Sequence, residues 1–358
     1  MNGVDLRNTV AVSLWAGQQR GDAANRSTLI VHVPRVGAAM DPRSLFTFAY
    51  PRFAEACRSV DEPGLAIIAI DETTGQAAGI CRVLARVGRP VGAIIGRHDH
   101  CDLFLAGREE LALRHLAVVV EPVINWQRGA TQVRYRVMDL RTHTGMIGED
   151  GKRLRGLTCE GPAIIRCGGY AIYMLPLGDP SDWPEQGKDA WEMLPARVFL
   201  DEAFAEGSSV VKLEPRPMPR SSGLDKANLR QTIITRTHGP QDSGSMLVQN
   251  GDAVGVIELS TPHRQLRMDV GERALGNGIL FGRYDRCDAM GAAADDGTLS
   301  RVHVMLVKVE DRVMVIDTAS SNGTFENGER IRFAVFQGDG EVRLGKRTFM
   351  RWRDQSPS

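Results

Sequence analysis

The sequence predicts an all-β protein: two β domains in tandem, joined by a linker rich in proline and serine. Three observations carry that prediction. First, residues 302–317 alternate with period two. Val302, Val304, Leu306 and Lys308 form one row, and His303, Met305, Val307 and Val309 the other. After a Glu310-Asp311 turn the chain returns through Val313, Val315 and Asp317. Second, Asn327-Gly328 suits a two-residue hairpin, whose central residues both need positive φ. Third, Gly96-Arg97-His98-Asp99-His100-Cys101-Asp102 recurs as Gly282-Arg283-Tyr284-Asp285-Arg286-Cys287-Asp288, with five of seven positions identical. A repeat this tight marks a duplicated unit.

Length and composition bound the rest. The chain of 358 residues is long enough for two domains and a linker. Its 44 basic and 44 acidic residues balance, so no global positive field draws it to nucleic acid or an anionic membrane. Many glycines and few aromatic residues fit a turn-rich β protein. The cysteines (Cys57, Cys81, Cys101, Cys159, Cys167, Cys287) include no CxxC pair and lack the spacing of a zinc site or a disulfide framework. A reduced, cytoplasmic setting is the expectation. No apolar run is long enough to span a bilayer. Residues 9–17 are mildly apolar but lack a clear cleavage signal.

Taken in order, residues 1–28 read as a flexible, polar, non-periodic tail. Residues 29–60 form an extension without an assigned role, with a short strand at 29–33 and helical spacing through Phe46, Phe53, Ala54 and Cys57. The first sandwich spans 61–178. Its runs at 65–70, 82–87 and 91–97 parallel those at 254–259, 266–270 and 279–283 in the second, which spans 251–354. Its connection at 121–131 is longer and available for another contact. Residues 179–250 read as linker. Trp183, Trp191, Leu194, Val198 and Phe199 are expected to dock on the first sandwich, and the proline-rich run 214–223 is expected to stay extended. Thr232, Thr235 and Thr237 are candidate kinase targets there, and once phosphorylated a tethered ligand for the second sandwich.

The chemistry concentrates on connections, where recognition residues usually sit. Gly282-Arg283 is followed by Ser300-Arg301-Val302-His303 and then by Ser320-Ser321-Asn322-Gly323-Thr324. These blocks, in this order and ahead of an Asn-Gly turn, resemble the forkhead-associated (FHA) domain, a β-sandwich that reads phosphothreonine. The resemblance covers roughly the last hundred residues. It implies that Arg283, Ser300 and Arg301 face the phosphate, and that Ser321 and Asn322 shape the pocket and bond the peptide backbone. Gly282, His303 and Gly323 are implied as structural supports. A phosphothreonine carries nearly two negative charges, and charge-assisted donors in fixed positions suit it. A methyl-sized cleft would favour it over phosphoserine by roughly 1–3 kcal/mol. Asp295 and Asp296 oppose an anion site, and are expected at the tip of a long loop.

The first sandwich departs from this pattern. Matching His115 to His303 puts Ala112 and Leu113 at the places of Ser300 and Arg301; matching Asp139 to Asp317 puts His143 and Thr144 at those of Ser321 and Asn322. Arg97 and Gly145 remain. The expectation is a divergent FHA-like frame without the phosphothreonine pocket.

Other chemistries are weaker. Gly276-x-Gly278-x-x-x-Gly282 leads into a strand rather than a helix, unlike a nucleotide fingerprint. His98, His100 and Cys101 invite a metal, but the repeat has Tyr284 and Arg286 where the histidines stand. No catalytic triad has a motif context. The expected function is therefore a phosphothreonine-dependent adaptor in Ser/Thr kinase signalling, not an enzyme, with no cofactor and no metal. Its partner is a phosphorylated kinase or kinase substrate. A phosphate-independent scaffold is the alternative.

Overall fold

The computed structural model describes residues 9–12, 40–124, 133–201, 231–237, 253–288 and 296–355. The first half carries β1 (Thr9–Val12), β2 (Gly64–Asp71), β3 (Ala77–Leu84), β4 (Val91–Gly96), β5 (Leu103–Phe104), β6 (Leu116–Val120) and β7 (Tyr135–Asp139). It continues with β8 (Met146–Gly148), β9 (Arg153–Leu154), β10 (Gly156–Cys159), β11 (Ala163–Cys167), β12 (Tyr170–Leu177), β13 (Ala196–Asp201) and β14 (Gln231–Thr237). These strands form two sheets, β1-β3-β2-β12-β11-β8-β9 and β13-β14-β10-β7-β6-β4-β5.

The second half carries β15 (Ala253–Ser260), β16 (Gln265–Gly271), β17 (Ile279–Phe281), β18 (Val304–Val309) and β19 (Arg312–Asp317). Then come β20 (Thr324–Glu326), β21 (Glu329–Ile331), β22 (Phe333–Phe336), β23 (Gly340–Leu344) and β24 (Thr348–Asp354). Its sheets run β16-β15-β24-β23-β20-β21 and β17-β18-β19-β22. Set against the first half, these are the orders β3-β2-β12-β11-β8-β9 and β4-β6-β7-β10: the two halves share one connectivity. The protein is predominantly β, as expected. The hairpin β18–β19 pairs Val309 with Arg312 across Glu310-Asp311. Asn327 and Gly328 both have positive φ, +50° and +85°, as the turn between β20 and β21 requires.

The ranges assigned from sequence need correction at three places. Thr9–Val12, read as part of a tail, pairs with β3 in register Ala11↔Cys81. Of residues 29–60, the strand expected at 29–33 lies outside the described residues, but α1 (Pro42–Ala49) and α2 (Ala54–Arg58) have a clear role. Asp41 caps α1 by accepting from Ser44 N at 3.1 Å, and Pro42 occupies its first turn. Leu45, Phe46, Tyr50 and Phe53 then cover Ala66, Ile68 and Ile70 of β2, whose other row, Leu65, Ile67 and Ala69, fills the sandwich core. A strand covered on both faces is a continuous apolar run, which is what β2 is.

The third correction concerns residues 179–250. Trp183 docks on the helices as expected; Tyr50 Oη donates to Pro184 O at 2.7 Å and Arg58 Nε to Trp183 O at 2.8 Å. After α3 (Gly187–Glu192), however, β13 and β14 extend the sheet beyond β10, with Thr235 opposite Thr158. Thr232 is buried, so it is not an accessible linker threonine. Arg236, also buried, is paired with Asp150 and Asp201. The run 214–223 lies outside the described residues. Among the described residues no helix is long and apolar enough to cross a membrane.

The sandwiches pack face to face. Ile94, Ala117, Val119 and Met138 of the first meet Leu280, Met305, Val307, Met314 and Ile316 of the second. Charged contacts rim this face. Asp102 and Asp288, the last residues of the repeated heptapeptide, each accept from a backbone amide of their own sandwich, Ile94 N and Leu280 N, both at 2.8 Å. Each also pairs with an arginine of the other sandwich: Arg332 with Asp102, and Arg141 with Asp288 at 2.7 Å. Arg136 donates to Lys308 O and Arg312 to Gly88 O.

Gly282 marks the closest backbone approach at the end of β17. A Cβ there would lie 2.2 Å from Arg301 O, and at the matching Gly96 it would lie 2.4 Å from Leu113 O. Gly282 thus serves close packing rather than a left-handed turn. Gly282→Ala is expected to cost about 1–3 kcal/mol in urea unfolding. Gly276→Ala, in α4 (Glu272–Asn277) with open space around it, is expected to be neutral or to stabilise by up to about 1 kcal/mol.

Candidate phosphopeptide site at the loop end of the second sandwich

Three connections converge at one end of the C-terminal sandwich. The first leaves β17. Arg283 N donates to Ser300 O at 3.1 Å and Tyr284 N to Arg301 O at 2.9 Å, so the 282–284 segment lies along the 300–301 segment. Arg283 Nε donates to Leu299 O at 2.6 Å, which fixes the root of the guanidinium while the residue stays exposed. Arg301 is exposed, 6.0 Å from the centre of the Tyr284 ring; Arg286 lies over the same ring at 4.5 Å.

The second and third connections are tied together by polar groups. Ser300, only 7% exposed, accepts from Ser321 N through Oγ at 3.0 Å, leaving its own O–H as a donor. Asn322 donates from Nδ2 to Thr298 O at 2.6 Å. It therefore ties loop to loop here, and its amide oxygen has no hydrogen-bond partner among the described residues. Ser321 and Asn322 are both exposed. Exposed Arg330 donates to Ser320 O at 3.1 Å.

His303 sits beneath these loops, fully buried. Its Nδ1 accepts from Ser300 N at 2.9 Å, so the proton of the neutral ring resides on Nε2, which donates to Gly323 O at 3.1 Å. That oxygen also accepts from Gly345 N at 2.9 Å. Burial, chiefly, holds the His303 imidazole below its ordinary pKa; Asp317 and the Gly323 carbonyl pull the other way, and Arg114 adds to the lowering. Arg283, Ser300, Arg301, Ser321 and Asn322 thus lie on adjoining segments, with His303, Gly282 and Gly323 at their bases.

Some members of the site escaped the sequence reading. Asp317 accepts from Ser320 N at 2.7 Å, from Ser320 Oγ, and from Thr324 Oγ1 at 2.6 Å, bracing the loop from below. An Asp three residues before a Ser at a strand end is a turn signal, and was the available clue. Asp296 is a correction: it is buried, not at a loop tip, while Asp295 lies outside the described residues. Its carboxylate accepts from Thr298 N at 2.9 Å, Thr298 Oγ1 at 2.7 Å and Thr348 Oγ1 at 2.8 Å. Burial works against its ionisation, but these hydrogen bonds and Arg347 leave its pKa below the usual value. Its charge is spent on the scaffold rather than turned on an incoming anion.

The equivalent end of the first sandwich has the same bracing with other lining. Arg97 Nε donates to Leu111 O at 3.1 Å, Ala112 N to His115 Nδ1 at 3.0 Å, and His115 Nε2 to Gly145 O at 2.8 Å. Ala112 has no hydroxyl where Ser300 has one. His98, Asp99 and His100 bring their ligand atoms within 4.8 Å of one another, but His98 Nδ1 already accepts from His100 N at 3.2 Å. The six cysteines are free and buried; burial pushes the Cys57, Cys81 and Cys287 thiols up to about 12, which keeps them protonated and poor nucleophiles.

Comparison with known families matches residues 279–345 to the FHA domain. The second sandwich holds an FHA domain. Comparison with curated proteins finds no match. Among solved structures, the chain is similar to the first FHA domain of Mycobacterium tuberculosis Rv1747, with 21% identity over 28% of this chain and 98% of that one and a TM-score of 0.23. It is also similar to Mycobacterium tuberculosis EmbR in complex with a low-affinity phosphopeptide (21% identity, 29% of this chain, 25% of that one, TM-score 0.23). A third likeness is to the yeast Dun1 FHA domain in complex with a doubly phosphorylated peptide (21% identity, 34% of this chain, 84% of that one, TM-score 0.24).

The buried histidines beneath the FHA loops and their counterparts generate a pH prediction. Burial is also the main cause holding His115 below its ordinary pKa. Both rings are neutral when folded, whereas the unfolded chain takes up protons near pH 6.5. Their contribution is therefore present above about pH 6.5 and is lost as pH falls, by up to about 1.4 kcal/mol per pH unit per histidine. Urea unfolding from pH 7.5 to 5 is expected to show that loss, with a shallower slope in His303→Asn.

Proposed function

We propose that the C-terminal FHA domain reads phosphothreonine on a partner protein, and that the N-terminal sandwich is a divergent copy of the same frame that contacts proteins without phosphate. FHA domains are phosphopeptide-binding modules rather than enzymes, and the match at 279–345 supports that class of activity. The observation that carries the residue assignment is the convergence of three loops on His303 and Ser300. Arg283 and Arg301 supply exposed positive charge beside the Ser300 hydroxyl, and Ser321 and Asn322 form the opposite lip.

The chemistry is recognition of a dianion by donors set in place before it arrives. Arg283 is held by its hydrogen bond to Leu299 O, and Ser300 by the hydrogen bond its backbone N–H donates to His303 Nδ1, so little ordering remains to be done on binding. The Asn322 amide oxygen and the Ser321 hydroxyl, which have no partner among the described residues, can bond a peptide backbone laid across the loops. In the first sandwich Ala112, Leu113, His143 and Thr144 stand at the corresponding positions. The shared strand order and the matching bonds of His115 support descent from one frame, while the changed lining supports loss of phosphate reading. Domains at 61–178 and 251–354 follow, the first enlarged by the helices and by β13–β14. The partner is a phosphorylated protein, a Ser/Thr kinase or its substrate.

The test is retention of a peptide library on the full chain, comparing phosphothreonine, phosphoserine and unmodified threonine. Phosphothreonine peptides are expected to be retained best; equal retention of all three would instead establish the phosphate-independent scaffold. Arg283→Ala and Ser300→Ala are each expected to weaken phosphopeptide binding roughly ten- to hundredfold by calorimetry, the loss of a charged hydrogen bond of roughly 1.5–3 kcal/mol. Thermal midpoints within a few degrees of the parent would show that the fold survives both changes.

A further inference from the structure

Arg114 belongs to the first sandwich, at the position that Val302 occupies in the second. It is only 7% exposed. Its guanidinium reaches across the interface and donates twice to one carbonyl, Ala319 O, from Nε at 3.1 Å and Nη2 at 2.6 Å. Ala319 has φ +61°, a left-handed conformation that a residue with a side chain adopts only when its surroundings hold it there. The next residues are Ser320, tethered to Asp317, then Ser321 on Ser300 Oγ and Asn322 on Thr298 O. Arg114 therefore grips the base of the lip on which the proposed phosphopeptide site depends.

Resting on that reading of the site, we infer that Arg114 is a positioning residue through which the N-terminal sandwich sets the affinity of the C-terminal FHA domain for its phosphopeptide. Two physical effects combine. The double donation pins the Ala319–Ser320 peptide, which presents Ser321 and Asn322 in register with Ser300 and Thr298. The buried charge also lies close enough to Asp317 to be attracted by it, and to Arg301 to be repelled by it. An incoming phosphate dianion relieves the repulsion between Arg114 and Arg301, so the second cation favours the bound state without touching the ligand. Coupling of this kind is reciprocal: bound phosphopeptide tightens the contact between the sandwiches. Besides any protein it contacts, the divergent sandwich then serves as the wall behind its neighbour's site.

The experiment uses the full chain with a phosphothreonine peptide taken from the library, and two readouts. One is calorimetric affinity; the other is amide hydrogen exchange at Ser320, Ser321 and Asn322 without peptide. Arg114→Met is expected to weaken binding about tenfold and to speed exchange at those amides, with Arg114→Lys intermediate in affinity because it keeps the charge but loses the two-point grip. Arg136→Gln is the control, since Arg136 crosses the same interface at its other end, to Lys308 O and Gly276 O. It is expected to leave both readouts near the parent values. Affinity within twofold of the parent and unchanged exchange in Arg114→Met overturn the inference, as does an equal effect of Arg136→Gln, which would mean general loosening of the interface. If Arg114→Met does not fold, Arg114→Lys is read by the same criteria. If the parent chain binds no phosphopeptide, the proposed function fails, and exchange alone decides whether Arg114 orders the loop.

Discussion

One neutral imidazole governs the spacing of the recognition loops. His303 accepts from Ser300 N on one side and donates to Gly323 O on the other, and the first of these bonds needs the ring uncharged. Burial protects that bond: a solvated histidine would protonate below about pH 6.5, and its Nδ1 would turn from acceptor to donor. His115 makes the same two bonds in the first sandwich. The frame that brings loops together has been kept in both halves, whereas the groups lining it have not. Loop position and loop chemistry are separable in this fold: the bracing bonds recur where Ala112 stands in place of Ser300.

The second constraint is the face the two sandwiches share. Each fully buried aliphatic side chain contributes roughly 1.5–3 kcal/mol, so the apolar contacts of Ile94, Met138, Leu280, Met305 and Ile316 dominate its stability. The ionic contacts do something else. The Asp288 side chain is only 7% exposed, and that desolvation raises its pKa against the pull of Arg141. A pair of that kind adds little net stability, but removing one partner strands a charge at a cost of roughly 3–5 kcal/mol. Such pairs fix how the faces are registered. Exposed pairs such as Arg351 with Glu341 carry no comparable constraint. Because the register is fixed, Arg114 always arrives at Ala319.

Much of this was legible in the order of residues. Period-two alternation placed the hairpin at 304–317, and Asn327-Gly328 placed the turn after β20, because local backbone preferences decide both. The repeated heptapeptide announced the shared connectivity. The threonines at 232–237 were misread because a single strand, polar in composition, looks like linker until its partner strands are known. Likewise the two rows of β18 are both apolar, and a sequence cannot say what covers the second row. Here one faces its own core through Val304 and Leu306, while Met305 and Val307 face the other sandwich.

The sequence by itself determined the β class, the repeated heptapeptide and the residue types on each set of loops, since these follow from short-range periodicity and spacing. Only the tertiary structure decided that helices 42–58 seal the outer face of β2, that Asp296 is consumed by the scaffold, and that an arginine 205 positions away from Ala319 supports its loop. Those outcomes rest on contacts between segments distant along the chain, whose pairing depends on which buried surfaces fit together rather than on any local preference.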